Sequence, residues 1–274
     1  MEVTGGLINP ARSALGPTGF ASTVLSVRNV TCGFDGVKAV DNLSFDVAKG
    51  SITALIGPNG AGKTTIFNVI SGLWRPQRGE IFLGEVRITR KPVHEIARLG
   101  IGRTFQTIRL WEDLSVLDNV LFPMRCDTAD SLLSALLRTR RMRQEEEHAT
   151  SVAAAVLGRV GLSEKRDALA KAMSHGQRKL LEIARVVALD PSVLLLDEPM
   201  AGLYPEAIRG VVEIVRQLRD GGKTVMFIEH NMNIIRDMAD RVIVLNCGRR
   251  IAEGTPAEIA NDASVREAYM GRSR

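Results

Sequence analysis

The chain has few aromatic residues, scattered cysteines and no long apolar run, and each shortage removes a class of function. Aromatics make up 4% of 274 residues, too few for a surface on which nucleic-acid bases stack. Cys32, Cys126 and Cys247 form no CxxC pair and no zinc-like spacing. They read as reduced thiols of a cytosolic protein, not as a disulfide frame or a metal site. No apolar stretch approaches the roughly 20 residues of a membrane-crossing helix. The N-terminus lacks the basic segment and apolar core of a secretory signal, so the chain is expected not to cross a membrane by itself. There is no internal repeat, and no block of like charge resembles a DNA-binding arm. The net charge of +5, from 36 basic and 31 acidic residues, is a mild excess that suits an anionic ligand and a membrane surface equally.

What remains is an ordinary globular composition with a clear internal order. Residues 1–23, rich in Gly, Pro, Ser, Ala and Thr, read as a loose extension, and a single folded unit is expected over 24–274. From 24 to about 88 the pattern is β-like: "VLSVRNVT" and "AVDNLSFDV" alternate, "SITALI" is a buried strand, and "GEIFLGEVRI" reads as two short strands around a turn. A helix is expected over 63–71, with Gly72 just past its end. The stretch 107–175 reads as an inserted helical subdomain. "SVLDNVL" opens one of its helices with a capping box, Ser115 and Asp118, and two amphipathic helices follow, with Arg138, Arg140, Arg141 and Arg143 on a solvated or lipid-facing side. Beyond it, helices over 177–189, 206–220 and 232–238 alternate with the strands "VLLL", "TVMFI" and "RVIVL". "TPAE" at 255–258 starts a last helix with Thr as cap and Pro in the first position. Continuous apolar strands between helices imply a sheet covered on both faces.

"GPNGAGKTT" at 57–65 matches G-x-x-x-x-G-K-[ST] through Gly57, Gly62, Lys63 and Thr64, and lies between an apolar strand and a helix, the context this phosphate loop requires. Its glycines let backbone N–H groups turn toward phosphate oxygens, and the helix N-terminus adds a favourable dipole. Lys63 offers a cation to the β- and γ-phosphates, and the Thr64 hydroxyl is the expected Mg²⁺ ligand. "VLLLDEP" ends an apolar strand with Asp197 and Glu198. A carboxylate at a strand's carboxyl end can complete the Mg²⁺ shell through water, and its neighbour can polarise the attacking water.

Four further features stay two-sided when read from the residues alone. His230, after "TVMFIE", can reach a γ-phosphate or be structural. Gln106, in "GRTFQTIRL", can bind Mg²⁺ or the attacking water, but nothing in isolation selects that role. Phe34, in "CGFDGVKAV", can stack on adenine or pack in a core or turn. "SHGQ" at 174–177 has S-x-x-Q capping-box spacing ahead of a helical run. It is a capped helix start whose free N–H groups either bind an anion or do nothing further.

Taken in order, the phosphate loop, Gln106, "SHGQ", "VLLLDEP" and His230 resemble the ATP-binding subunits of ABC transporters, over residues 24–271. "GIGRTFQTIRLWEDLSVLDNV", "LEIARVVALDPSVLLLDEPMAGLYPE", "IEHNM" and "AEGTPAEIANDASVREAYMG" look like the ATPases of branched-chain amino acid uptake systems. Urea and short-amide importers and lipopolysaccharide exporters are similar. The resemblance implies an α/β fold: a P-loop NTPase core of mixed sheet flanked by helices, with an antiparallel β subdomain and the inserted helical subdomain. It implies that Asn59, Gly60, Ala61, Gly62, Lys63, Thr64 and Thr65 bind the phosphates of ATP and that Phe34 stacks on adenine. Mg²⁺ is then held by Thr64, Gln106 and Asp197, with Glu198 as general base and His230 on the γ-phosphate. Ser174, Gly176 and Gln177 fill the family's LSGGQ signature, which contacts ATP held by a second ATPase subunit, the same or a different chain, facing head to tail. Two membrane-spanning permease subunits and a periplasmic binding protein complete such systems, on the inner face of the cell membrane, with no nucleic acid involved. Met173 and His175 depart from the signature, Tyr204 stands where asparagine is common, and Asn231 where aspartate is. A soluble ABC ATPase of DNA repair or translation is disfavoured because such proteins carry two cassettes or a long coiled coil. A P-loop kinase leaves "SHGQ" and His230 without roles.

Overall fold

A computed structural model describes residues 22–105, 108–125 and 140–270. In chain order, β1 (Thr23–Phe34), β2 (Val37–Ala48) and β3 (Ile52–Ile56) lead into α1 (Lys63–Ile70). β4 (Arg78–Leu83), β5 (Val86–Arg87), α2 (Val93–Arg98) and β6 (Ile101–Arg103) follow, then α3 (Val116–Arg125) and α4 (Arg140–Arg159). The second half runs α5 (His175–Val187), β7 (Val193–Asp197), α6 (Pro205–Asp220), β8 (Thr224–Ile228), α7 (Met232–Met238), β9 (Arg241–Asn246), β10 (Arg249–Gly254), α8 (Pro256–Asn261) and α9 (Ala263–Met270).

The strands form two sheets, as the expected fold requires: an antiparallel one in the order β2-β1-β4-β5 and a mixed one in the order β10-β9-β3-β8-β7-β6. β1 and β2 join through Asp35 and Gly36, both at positive φ, the pair of left-handed positions of a type I′ hairpin turn. In the mixed sheet β9, β3, β8, β7 and β6 are parallel, and only the edge strand β10 is antiparallel. The apolar runs of the central strands are split by the pleat. Ile52, Ala54, Ile56, Leu194, Leu196, Val225 and Phe227 face the helices from α3 onward, whereas Leu55, Val193, Leu195, Met226 and Ile228 face the antiparallel sheet with α1 and α2. Both faces being buried, no polar alternation appears in these strands.

Local signals fall where expected. α1 ends in a full Schellman closure, with Gly72 at φ +76 donating to Val69 O and Leu73 donating to Asn68 O. Thr255 and Glu258 form a reciprocal capping box on α8. At α3 only half of the expected box is present: Asp118 N–H donates to Ser115 Oγ, while the Asp118 carboxylate accepts a hydrogen bond from the Ser115 hydroxyl. α5 is shifted from the expected 177–189, because Ser174 is its cap and the chain must leave the helical region before Pro191. Of the two amphipathic helices expected after α3, the first and Arg138 lie outside the described residues, as does Cys126. Among the described residues no helix is long and apolar enough to cross a membrane.

Candidate functional site

The parallel strands β3, β8, β7 and β6 lie side by side and end together, so the loops at their carboxyl ends share one edge of the sheet. The phosphate loop leaves β3 here. Its glycines serve contact as much as turning. A Cβ on Gly57, at φ +149, would lie 2.1 Å from Leu245 O, and one on Gly62, at φ +97, would lie 2.3 Å from Ala39 O. Gly248 N–H donates to Ala61 O from outside at 3.1 Å. No side chain caps the first turn of α1, so its N–H groups stay free for an anion. Lys63 is buried, with Nζ donating to Gly57 O at 2.7 Å and Pro58 O at 2.9 Å. Burial pulls its ammonium below the usual range, against the opposing pull of Glu198 and Asp197. Asn59, Gly60 and Thr64 are exposed along the rim, and Thr65 is half-buried.

Asp197 and Glu198 stand at the end of β7. Asp197 is 1% exposed. Its Oδ2 pairs with Arg103 Nη2 at 3.3 Å, and its N–H donates to Thr104 Oγ1 at 3.1 Å. Its Oδ1 is buried without a hydrogen-bond partner among the described residues, the kind of oxygen a hydrated divalent cation satisfies. Burial raises the Asp197 carboxyl above its usual range; Arg103 counteracts this and Glu198 adds to it. Glu198 sits at φ +48, a backbone that costs a residue with a Cβ energy and concentrates at functional sites. Its N–H reaches across to Ile228 O at 3.2 Å, and its Oε1 lies 3.1 Å from His230 Nε2. With Glu198 ionised, the imidazole tautomer protonated at Nε2 is the one that makes this bond.

Two residues were not legible as parts of this site. Arg103, at the end of β6, holds Asp197, donates to Ser71 Oγ at 2.7 Å and lies over the Phe67 ring at 5.7 Å. Glu229, buried at the end of β8, accepts from Met200 N–H at 3.2 Å and His230 N–H at 3.1 Å. It therefore anchors the loops after β7 and β8 to one carboxylate. Burial raises its carboxyl, opposed by those N–H groups and that of Asn231. A strand ending in "IEH" carries no sign of which way the glutamate points, so only the fold discloses it.

The remaining expected residues fall in three places. Phe34, half exposed at the hairpin tip, meets Trp74 edge-on with centroids 4.6 Å apart; it is not a core residue. Ser174 caps α5 in a reciprocal box with Gln177, and Gly176 follows within the first turn. The His175 ring packs on the next loop, its Nε2 lying 3.2 Å from where a Cβ on Gly202 would be. Tyr204, 82% exposed, precedes Pro205 at the start of α6. Gln106 lies outside the described residues.

Comparisons with known proteins give the family and the fold. Residues 40–201 match the family described as ABC transporter, and residues 249–274 match that of the branched-chain amino acid ATP-binding cassette transporter. The chain is 39% identical to the high-affinity branched-chain amino acid transport ATP-binding protein LivG of Salmonella typhimurium, over 91% of this chain and 98% of that protein. It is 36% identical to the high-affinity branched-chain amino acid transport ATP-binding protein BraF of Pseudomonas aeruginosa, over 91% of this chain and 98% of that one. It is also 37% identical to the lipopolysaccharide export system ATP-binding protein LptB of Acidithiobacillus ferridurans, over 85% of this chain and 90% of that one. Among solved structures, a nucleotide-free ATP-binding cassette from an ABC transporter superposes with a TM-score of 0.80 at 33% identity, over 91% of this chain and 100% of that one. Another such cassette, in its ADP conformation, gives a TM-score of 0.79 at 34% identity, over 91% and 99%.

Proposed function

The chain belongs to the ABC transporter family of ATP-binding proteins, and on that premise we propose that it is the ATP-hydrolysing subunit of an importer for branched-chain amino acids or similar small polar solutes. The observation that carries the reaction is the cluster at the ends of β7 and β8: Glu198 Oε1 lies 3.1 Å from His230 Nε2, beside an Asp197 oxygen with no hydrogen-bond partner among the described residues. The phosphate loop and α1 hold the phosphates of ATP, with Lys63 as cation, and Phe34 stacks on the base. Thr64, Gln106 and Asp197 would hold Mg²⁺, Asp197 through water by its free Oδ1, and the ion would neutralise charge on the phosphates. Glu198 takes a proton from water as the water oxygen bonds to the γ-phosphorus. The bond to the β,γ-bridging oxygen breaks, and ADP and phosphate result. His230 orients Glu198 and holds the γ-phosphate.

Ser174, Gly176 and Gln177 act on ATP bound by a second ATPase subunit, which faces this one head to tail. The helical subdomain passes closure of that pair to two membrane-spanning subunits at the inner face of the membrane, and a periplasmic binding protein delivers the solute. The match of residues 249–274 to the branched-chain amino acid cassette family supports this cargo class. The likeness to LptB supports an exporter as the second reading.

Glu198→Gln in the assembled complex should bind ATP, accumulate the closed dimer and lose turnover by about 10²–10⁴-fold, the usual weight of a general base. ATPase activity near the parent's would remove Glu198 from that role.

A further inference from the structure

The inward face of α5 carries charge where its neighbours Leu181, Ile183 and Ala184 are apolar and fully buried. Lys179 and Glu182, with side chains 3% and 5% exposed, pair at 3.3 Å. A buried pair of this kind is weak evidence for stability, because desolvating two charges offsets their attraction and apolar residues of similar size often serve as well. The pair does something more specific here. Glu182 Oε1 accepts the Phe105 N–H at 3.0 Å, and Lys179 Nζ donates to Phe105 O at 3.4 Å. Both backbone polar groups of Phe105 are thus held by one helix. The Phe105 ring is flanked by the guanidinium groups of Arg103 and Arg109, at 5.2 and 4.7 Å from its centroid. One residue back, Thr104 is bonded to β7 through its N–H to Leu195 O and through its hydroxyl to the Asp197 N–H. Two residues back, Arg103 takes Asp197 Oδ2, and Oδ1 is left buried with no hydrogen-bond partner among the described residues. An unbroken polar chain therefore runs from the signature helix, across residues 103–105, to the carboxylate of β7.

We propose that Lys179 and Glu182 are positioning residues: by gripping both backbone groups of Phe105 they fix residues 103–105, so that Arg103 presents the free oxygen of Asp197 to Mg²⁺ and the signature helix is tied to that presentation. The proposal rests on the Mg²⁺ role given to Asp197 above. It explains why a pair with little value for stability occupies core positions.

The test uses Lys179→Met/Glu182→Leu in the full-length chain, which removes both charges together and strands neither. ATP affinity is measured by calorimetry with chelator and with Mg²⁺, and the quantity read is the gain that Mg²⁺ brings. The double variant should keep the parent's affinity in chelator and lose about tenfold of the Mg²⁺ gain, the lower end of the effect of removing partners of a metal-bound group. Lys179→Arg, which keeps the charge and the donors, should retain most of the gain. Asp197→Asn is measured alongside. If it loses the gain while the double variant keeps it, the clamp is overturned alone; if both keep it, the Asp197 assignment falls and the clamp with it. The parent chain supplies a check that no folding defect can mask. Without nucleotide, the Phe105 amide should exchange its hydrogen as slowly as those of β7, and fast exchange there overturns the clamp.

Discussion

Asp197 is a carboxylate held against the preference of its surroundings. Burial raises its carboxyl while Arg103 pulls the other way, so ionising it costs folding stability. The sign follows from linkage. A carboxyl raised in the folded state loses stability as pH climbs through its folded value, and both states are protonated below about pH 3. Asp197→Asn should therefore match the parent's melting temperature in acid and exceed it increasingly toward neutrality, by about 2–4 °C for each kcal/mol recovered. A variant that melts below the parent at neutral pH would mean that the Arg103 pair outweighs burial. At this scale the position of Asp197 and Glu198 at a strand end was legible because they terminate a continuous apolar run in a chain that also carries a phosphate-loop sequence. Arg103 and Glu229 were not: β6 is three residues long and offers no periodicity to read, and the direction of a side chain at a strand end is set by the fold.

Among the elements, the phosphate loop depends most on single atoms. Gly57→Ala would place a methyl group 2.1 Å from Leu245 O on a φ of +149. The backbone strain alone is worth about 1–3 kcal/mol, and the clash adds to it. The variant should show a lower denaturation midpoint and lose ATP binding; an unchanged midpoint would mean that β9 yields freely. The α5 cap was legible because Ser and Gln at S-x-x-Q spacing state a mechanism and not merely a composition. The elements that were not read are β6, α2, β10 and α9. The first three are no longer than six residues, and α9 follows α8 after the single residue Asp262, so that the two helices merge into one polar stretch of sequence.

For the molecule as a whole, order of motifs revealed the family and the double-faced core, since apolar strands between helices leave few other folds. Contacts between loops were beyond that reading. The seat of His175 on the Gly202 loop is one such contact, and it gives a packing role to one of the two residues that depart from the signature. If Ser174, Gly176 and Gln177 act in trans, Ser174→Arg should leave ATP binding by the separate chain intact while abolishing ATP-driven association, followed by sedimentation. Equal loss of binding in the separate chain would contradict the trans role.

The backbone that braces the phosphate loop has a kinetic and entropic consequence. Leu245 O behind Gly57, Ala39 O behind Gly62 and Gly248 N–H on Ala61 O fix the loop from outside. A loop fixed from outside by such contacts gives up little conformational freedom on binding, so the free energy of its phosphate contacts goes into affinity and not into ordering. Association should then follow a single fast phase, with no slow rearrangement of the loop between encounter and capture.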